Sequence, residues 1–491
     1  MGVAQAQDLL SGGGTRRTTF EPLLSLDQTV SDNYALSAAN KSADAITRLS
    51  AGVAARVRAA RVSGFLDYRL TEVLYARHQA ENNRQQALSS QLQAELIEGR
   101  LSLESAASVS RAAVSAFSPG AASSELSNTN ATEVRQLRLS PVLRGQLGGQ
   151  MAYSVRGNWQ LTDVADRSLG DSTQHAVLLH LEPLRPGVLS WGLDAQTDTT
   201  NYKQGTRSTS ERLFATLYYT LTQLDLRLGA NGGRENSNLG LTQSEVRPTW
   251  GVTAAWTPSP RTRLDADYGE RFFGRAYSLR GEYRTALTVW HVGGSRSLNT
   301  GSTTGVAGAR GTAFDLFFNQ LASVEPDAVK RADIVTALLA RNGIDPLANA
   351  DPAFLTGAVT LVNQIDASAA WRLARDAAVL TWTHSTTRRA DQLALVADDL
   401  AAASEVRAQS LALSLSHQLT PDSSLTGSLT LRQTDGQLTS QRSTQRLFDL
   451  RWNRSLNRQV TVSLGARRAL YELNPAPFSE SALTATVGAR F

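Results

Sequence analysis

Ser481-Ala482-Leu483-Thr484-Ala485-Thr486-Val487-Gly488-Ala489-Arg490-Phe491 is the stretch whose reading decides the fold. Side chains of a β-strand point alternately to its two faces. Leu483, Ala485, Val487, Ala489 and Phe491 therefore share one face, with Thr484, Thr486, Gly488 and Arg490 on the other. An apolar face toward lipid, a polar face toward a lumen and a terminal aromatic describe the closing strand of an outer-membrane β-barrel. An amphipathic strand ending a soluble sheet shares that pattern, so the rest of the chain must decide between them.

Working outward, the same alternation recurs. In 45–57, Thr47, Leu49, Ala51, Val53, Ala55 and Val57 oppose Arg48, Arg56 and Arg58. Met151, Tyr153, Val155, Gly157 and Trp159 oppose Ser154, Arg156 and Asn158. Val246, Pro248, Trp250, Val252, Ala254 and Trp256 oppose Arg247, Thr249, Gly251 and Thr253, and Leu425, Gly427, Leu429 and Leu431 oppose Thr426, Ser428, Thr430 and Arg432. Further alternating segments are 22–30, 62–76 and 85–97. The connections alternate too. Tight joins at 59–61, 98–100, 145–149, 183–187, 222–223, 258–260, 284–285, 374–375, 420–422 and 453–457 are interleaved with longer polar links such as 77–84, 118–130, 199–209, 231–242, 386–403 and 435–441. Short periplasmic turns on one rim and longer extracellular loops on the other produce that parity.

The expectation is an all-β fold: a single transmembrane antiparallel barrel spanning 20–491, of about 22 strands with 20 as the near alternative, both ends on the periplasmic side. The last strand would pair with 22–30 to close the ring, leaving Phe491 as a C-terminal assembly signal read by the barrel assembly machinery. Tryptophans check the parity. Trp191, Trp256, Trp371 and Trp452 fall at strand ends assigned to the periplasmic rim, whereas Trp159, Trp250 and Tyr268 lie nearer the other, as two aromatic girdles would.

Composition agrees. Of 491 residues, 41% are hydrophobic and none is cysteine, which excludes disulfides and thiolate chemistry. No run of about 18 apolar residues occurs, so a membrane could be crossed only by a closed barrel. The net charge of +5 comes from 49 basic and 44 acidic residues spread along the chain, with no basic block for nucleic acid. Segment 1–19, with Ala4-Gln5-Ala6 and Gly12-Gly13-Gly14, reads as a flexible periplasmic leader that is the remnant of a signal cleavage site.

One stretch, 299–361, lacks alternation. It reads as an extracellular insertion holding a helix over about 326–341, opened by Pro326, striped by Val329, Ala332, Val335 and Leu339 and stopped by Gly343. Asp351-Pro352 starts a second helical turn. The insertion is either a surface decoration or a constriction folded into the lumen, since the stripe must bury against something.

Ser31-Asp32-Asn33 after the first strand, and above all Arg271-Phe272-Phe273-Gly274 followed by Tyr277-Ser278-Leu279, resemble the PEP-CTERM system-associated outer membrane proteins found with exosortase and exopolysaccharide gene sets in Gram-negative bacteria. The resemblance implies an outer-membrane barrel that conducts or guides exopolysaccharide, working with periplasmic export components, with the polysaccharide as cargo and lipid bilayer and lipopolysaccharide as surroundings. A diffusion porin for small anionic solutes and a structural barrel of the secretion machinery are the alternatives. On packing grounds alone, Phe272 and Phe273 would simply fill an outer hairpin.

Alternation assigns Arg56, Arg58, Arg69, Arg138, Arg156, Arg227, Arg247, Arg263, Arg280, Arg284, Arg432, Arg451 and Arg467 to the lumen, with Asp67, Glu95, Glu104, Asp194, Asp225, Asp265, Asp267, Glu282 and Asp449. Buried in a narrow plug these charges would pair into a structural network, and lining water their modest positive excess would bias passage toward anions; both are expected. Catalysis is not expected. The histidines His78, His175, His180, His291, His384 and His417 lie in no nucleophile motif, and His384-Ser385 point to opposite faces. Nor do His175 and His180, on opposite faces, make a metal pair, so neither metal nor cofactor is expected.

Overall fold

In the computed structural model the alternating segments become one closed wall. The structure describes residues 17–118, 120, 123–165, 171–203, 207–238, 244–301, 303–304, 318, 327, 329–332, 334–336, 354–390, 398–438, 441–473 and 476–491. The wall strands are β1 (Arg17–Ser31), β2 (Asp44–Arg58), β3 (Val62–Tyr75), β4 (Asn83–Ile97), β5 (Leu101–Ala113), β6 (Ala131–Leu147), β7 (Met151–Val164), β8 (Ser172–Pro183), β9 (Leu189–Tyr202), β10 (Arg207–Leu221), β11 (Leu226–Ser237), β12 (Glu245–Ser259), β13 (Thr262–Arg271), β14 (Gly274–Arg284) and β15 (Thr288–Asn299). After two-residue strands β16 (Thr303–Thr304) and β17 (Phe354–Leu355) come β18 (Thr360–Arg372), β19 (Asp376–Arg389), β20 (Glu405–Thr420), β21 (Ser423–Asp435), β22 (Arg442–Ser455), β23 (Val460–Leu473) and β24 (Phe478–Arg490).

Each wall strand pairs antiparallel with the next, and β15 pairs directly with β18 from Asn299↔Thr360 to Thr288↔Trp371. β24 returns to β1, from Leu23↔Arg490 to Ser31↔Ala482. With β16 and β17 set aside from the 24 strands of the sheet, the ring holds 22. A closed ring leaves no unpaired edge, which is what lets a sheet sit in hydrocarbon.

Strand lengths exceed the sequence expectation. β1 begins at Arg17, ahead of the boundary at residue 20, and the leader reading for 1–16 lies outside the described residues. Strands of 10 to 17 residues rise about 3.4 Å per residue, so the longer ones outreach an apolar band roughly 25 Å tall. They therefore run on past the membrane and consume much of the polar links: 199–209 shrinks to 203–206, and 231–242 to 238–244. One outer connection is short. Phe272-Phe273 alone joins β13 to β14, with Gly274 at φ +91° in a region open chiefly to glycine. Its rings meet edge to face at 5.4 Å, so the pair does pack an outer hairpin.

The two faces differ as the alternation requires. Leu24, Leu26, Leu49, Leu217, Val252, Val292, Leu415, Leu450, Leu483 and Val487 are exposed on the outer wall, an apolar area a soluble chain would not present. Trp191, Trp256, Trp371 and Trp452 lie toward periplasmic strand ends, while Trp159, Trp250 and Tyr268 lie higher. Trp290, which sequence reading passed over, meets Trp371 edge to face at 5.4 Å. Inward positions are largely polar, with Ser50, Ser140, Thr162, Thr216, Glu235, Thr249 and Ser410 buried.

Candidate functional site: a filled lumen

The insertion leaves the wall at the extracellular end of β15, and its described residues pack inside the barrel. Tyr202 donates to the Thr300 carbonyl (2.7 Å). Farther along, residues 329–332 and 334–336 are helical, and the Asp327 carboxylate caps them by accepting from the Val329 and Lys330 amides at 2.9 and 3.0 Å. Val329, Ala332 and Val335, three members of the expected stripe, are buried. Pro326, Leu339, Gly343 and Asp351-Pro352 lie outside the described residues.

What the helix meets fixes its depth. Arg56 donates to the Thr336 hydroxyl (3.3 Å), Arg58 stands 3.7 Å from Asp327, and Phe65 packs on Phe318 at 5.3 Å, with Arg331 over the Phe318 ring at 4.1 Å. Arg56 and Arg58 end β2 and Phe65 lies near the start of β3, at the turn on the periplasmic side. A segment that enters from outside thus touches the wall near its inner rim.

Three segments meet at the outer mouth. β16 pairs with β17, and β17 reaches across to β5, Phe354 pairing in parallel with Ala113. Phe354 then packs with Leu400, Val406, Ala116 and Phe117, and Leu355 with Val134, Val164, Ala112 and Val114. Leu400 belongs to the four-residue helix α1 (Asp399–Ala402), capped by Asp398, whose carboxylate also accepts from Thr356 at 2.6 Å. The Asp399 carboxylate takes the Ser115 hydroxyl and Ala116 amide, and burial pushes its pKa up despite both bonds. Residues 114–118 and 123–130 form one assembly over the lumen with 354–359 and 398–403.

Segment 114–130 is also bolted to the wall. The buried Glu125 carboxylate receives Arg467 at 2.9 Å and lies 3.4 Å from Arg48, while Tyr75 donates to its backbone carbonyl at 2.6 Å. Burial raises the Glu125 pKa, but Arg48 and Arg467, helped by Ser123, outweigh it and hold the carboxyl down at about 2. Arg467 also bonds Glu480 at 2.9 Å, and Glu480 accepts from Ser31 at 2.9 Å. Leu126 fills an apolar cluster with Tyr34, Ile46, Val73, Tyr75 and Tyr471. The Ser31-Asp32-Asn33 motif sits at the same seam: Asp32 accepts from the Ser481 amide (2.7 Å) and Asn33 donates to the Ser479 carbonyl (3.1 Å).

The other lumen candidates are spread around the wall. Arg56 pairs with Asp67 at 3.0 Å, Arg156 with Glu104 at 2.7 Å, Arg263 with Asp265 at 2.7 Å, Arg284 with Glu282 at 2.7 Å and Arg247 with Glu245 at 2.9 Å. Arg138 bonds Gln160 at 2.8 Å, Arg227 covers the Tyr218 ring at 3.8 Å, and Arg280 stands in register opposite Asp265. Asp267 is opposite Ser278, Arg432 opposite Gln445 and Arg451 opposite Thr426, and Arg69 lies two residues beyond Asp67 on the same face of β3. Asp225 departs from its assignment: it ends a short helical turn with φ +46°, at the periplasmic rim and not on the wall. Sequence reading missed Glu125 and Glu480, the partners of Arg467, and the pair Arg271 with buried Glu235. Among the described residues, no group of three or more potential ligands is placed to hold a metal.

No family model matches this chain. No curated protein matches it either. Among solved structures it is similar to the FrpB iron transporter from Neisseria meningitidis (F5-1 variant, apoprotein form), with a TM-score of 0.50 at 10% identity over 99% of this chain and 83% of that one. It also aligns with the siderophore receptor PirA from Pseudomonas aeruginosa (0.43, 10% identity, 98% and 82%) and the copper transporter OprC (0.45, 10% identity, 98% and 82%). At this identity the likeness is one of fold, and the protein is a 22-strand barrel of the Gram-negative outer membrane.

Proposed function

We propose that the protein is a gated transporter of the outer membrane, in which the insertion is an internal plug and the three-segment lid its outer closure. One observation carries this reading: a segment entering at the extracellular end of β15 contacts Arg56, Arg58 and Phe65 near the periplasmic rim. Barrels of 16 to 18 strands leave an aqueous channel, whereas 22-strand outer-membrane transporters have a plugged lumen. The filling argues against a freely open diffusion pore. The PEP-CTERM resemblance favours exopolysaccharide as cargo. One solved structure of similar fold is an iron transporter, which favours an iron-bearing solute as the alternative cargo.

Because Asn299 pairs with Thr360, the wall does not depend on what lies between them. Replacing 300–359 by a short Gly-Ser turn should convert a barrel with few openings in planar bilayers into one with large, steady conductance. Equal conductance before and after would remove the plug. Cargo is read in a deletion strain, where loss of surface polysaccharide with normal metal uptake supports export and the converse supports import.

A further inference from the structure

Outside the lumen, the upper wall between β15 and β20 carries a polar recess on a surface that should meet lipid. It is lined by Arg296, Asn363, His384, Thr386, Arg388 and Arg407, with Leu361 and Glu405. Register sets most of this out as a row perpendicular to the strands: Arg296 stands opposite Asn363, Asn363 opposite Thr386 and Thr386 opposite Arg407. Ile365, exposed two residues below Asn363 on the same face, marks this as the outer wall. The row lies two or three residues from the extracellular strand ends, roughly 7 to 10 Å down the wall.

Charge there is unbalanced. Glu405 takes both Arg388 and Arg407, and those guanidinium side chains remain 60% and 64% exposed. Arg296 donates to the Arg275 carbonyl at 2.8 Å, which positions it without neutralising it. Three cations thus face one carboxylate. Several other outer-wall arginines each have a carboxylate of their own: Arg84 has Glu72, Arg446 has Glu472, and Arg135 has Glu133 and Asp163. A guanidinium cluster with a net positive charge at a bilayer surface attracts anionic headgroups, and planar guanidinium forks suit phosphate oxygens.

The geometry points to a phosphorylated glycolipid of the outer leaflet as the occupant, its phosphate held by Arg296, Arg388 and Arg407, with Asn363 and Thr386 as neutral donors. The acyl chains would run down the outer wall past Ile365, Leu411 and Leu415. The site is independent of what the lumen transports.

The test uses full-length protein folded in detergent and titrated with bisphosphorylated lipid A or its dephosphorylated counterpart, with bound lipid counted by native mass spectrometry. Each charge-assisted bond lost weakens binding by about tenfold. R296Q/R388Q/R407Q should therefore lose lipid A affinity by well over that factor, R407Q alone by about that factor, and R84Q should match the unaltered protein. Dephosphorylated lipid A should bind the unaltered protein about as weakly as lipid A binds the triple variant. Should the triple variant fail to show the heat-dependent gel shift of a folded barrel, R407Q decides. Unchanged lipid A binding in a folded variant, or displacement by free pyrophosphate at equal concentration, overturns the proposal.

Discussion

Glu125 belongs to no strand, yet its carboxylate ties a loop to the wall across 342 positions of sequence. Its pKa is held at about 2 against an ordinary 4.5. A group depressed in the folded state contributes stability that is complete above its unfolded pKa and lost as pH falls through the folded one. Above the unfolded pKa the contribution is about 3 kcal/mol. Lid attachment should therefore hold from neutral pH down to about 4.5 and loosen below it. Hydrogen exchange of 114–130, corrected for intrinsic pH dependence, should accelerate only in that acid range, whereas Glu125→Gln should exchange rapidly at pH 7. Protection of E125Q equal to that of the unaltered chain would contradict the assignment. Arg467→Met strands two buried carboxylates, Glu125 and Glu480, and should cost about 3–5 kcal/mol, read as a lower temperature for the gel-mobility transition. Arg467 could be placed in the lumen from the alternation of β23. Glu125 could not, because a polar loop has no period and nothing in the sequence marks where its acid lands.

At the scale of elements, period-two alternation revealed nearly every wall strand, and the spacing of Val329, Ala332 and Val335 revealed the plug helix. Strand ends were less legible, since alternation weakens where a strand leaves lipid while its hydrogen bonds continue. Whether the insertion entered the barrel was also hidden, because an apolar stripe shows that a partner exists and not where it lies. Ala332 and Val335 are fully buried within a largely polar lumen, so the helix is seated by close packing and by Arg56 and Arg58. Ala332→Glu would bury a carboxylate at a site shaped for a methyl group, at a cost of several kcal/mol. The helix should leave its seat while Asn299–Thr360 pairing keeps the wall closed. Single-channel conductance of A332E should rise toward that of the barrel lacking 300–359, and a silent A332E channel with a normal gel shift would show that the helix does not block passage.

For the whole molecule, the parity of short and long connections identified the closed ring, and the pairing of β1 with β24 completes it. That parity says nothing about what crosses. The lumen wall does: Arg138 rests on a neutral glutamine and Arg227 on a tyrosine ring, whereas Arg156, Arg263 and Arg284 each have a carboxylate. Pairing cancels much of the field and leaves a positive excess. Taking out 300–359 removes Asp327 from Arg58 and Thr336 from Arg56, which adds two less-compensated cations near the inner rim. Charge rings at a constriction set ion preference, and their effect grows as screening falls. The insertion-deleted barrel should therefore favour anions in reversal-potential measurements under a salt gradient, more strongly at low ionic strength. R56Q/R58Q in that background should move the reversal potential toward zero without altering the gel shift. A cation preference in the insertion-deleted barrel would mean that the paired carboxylates, not the arginines, face the water path.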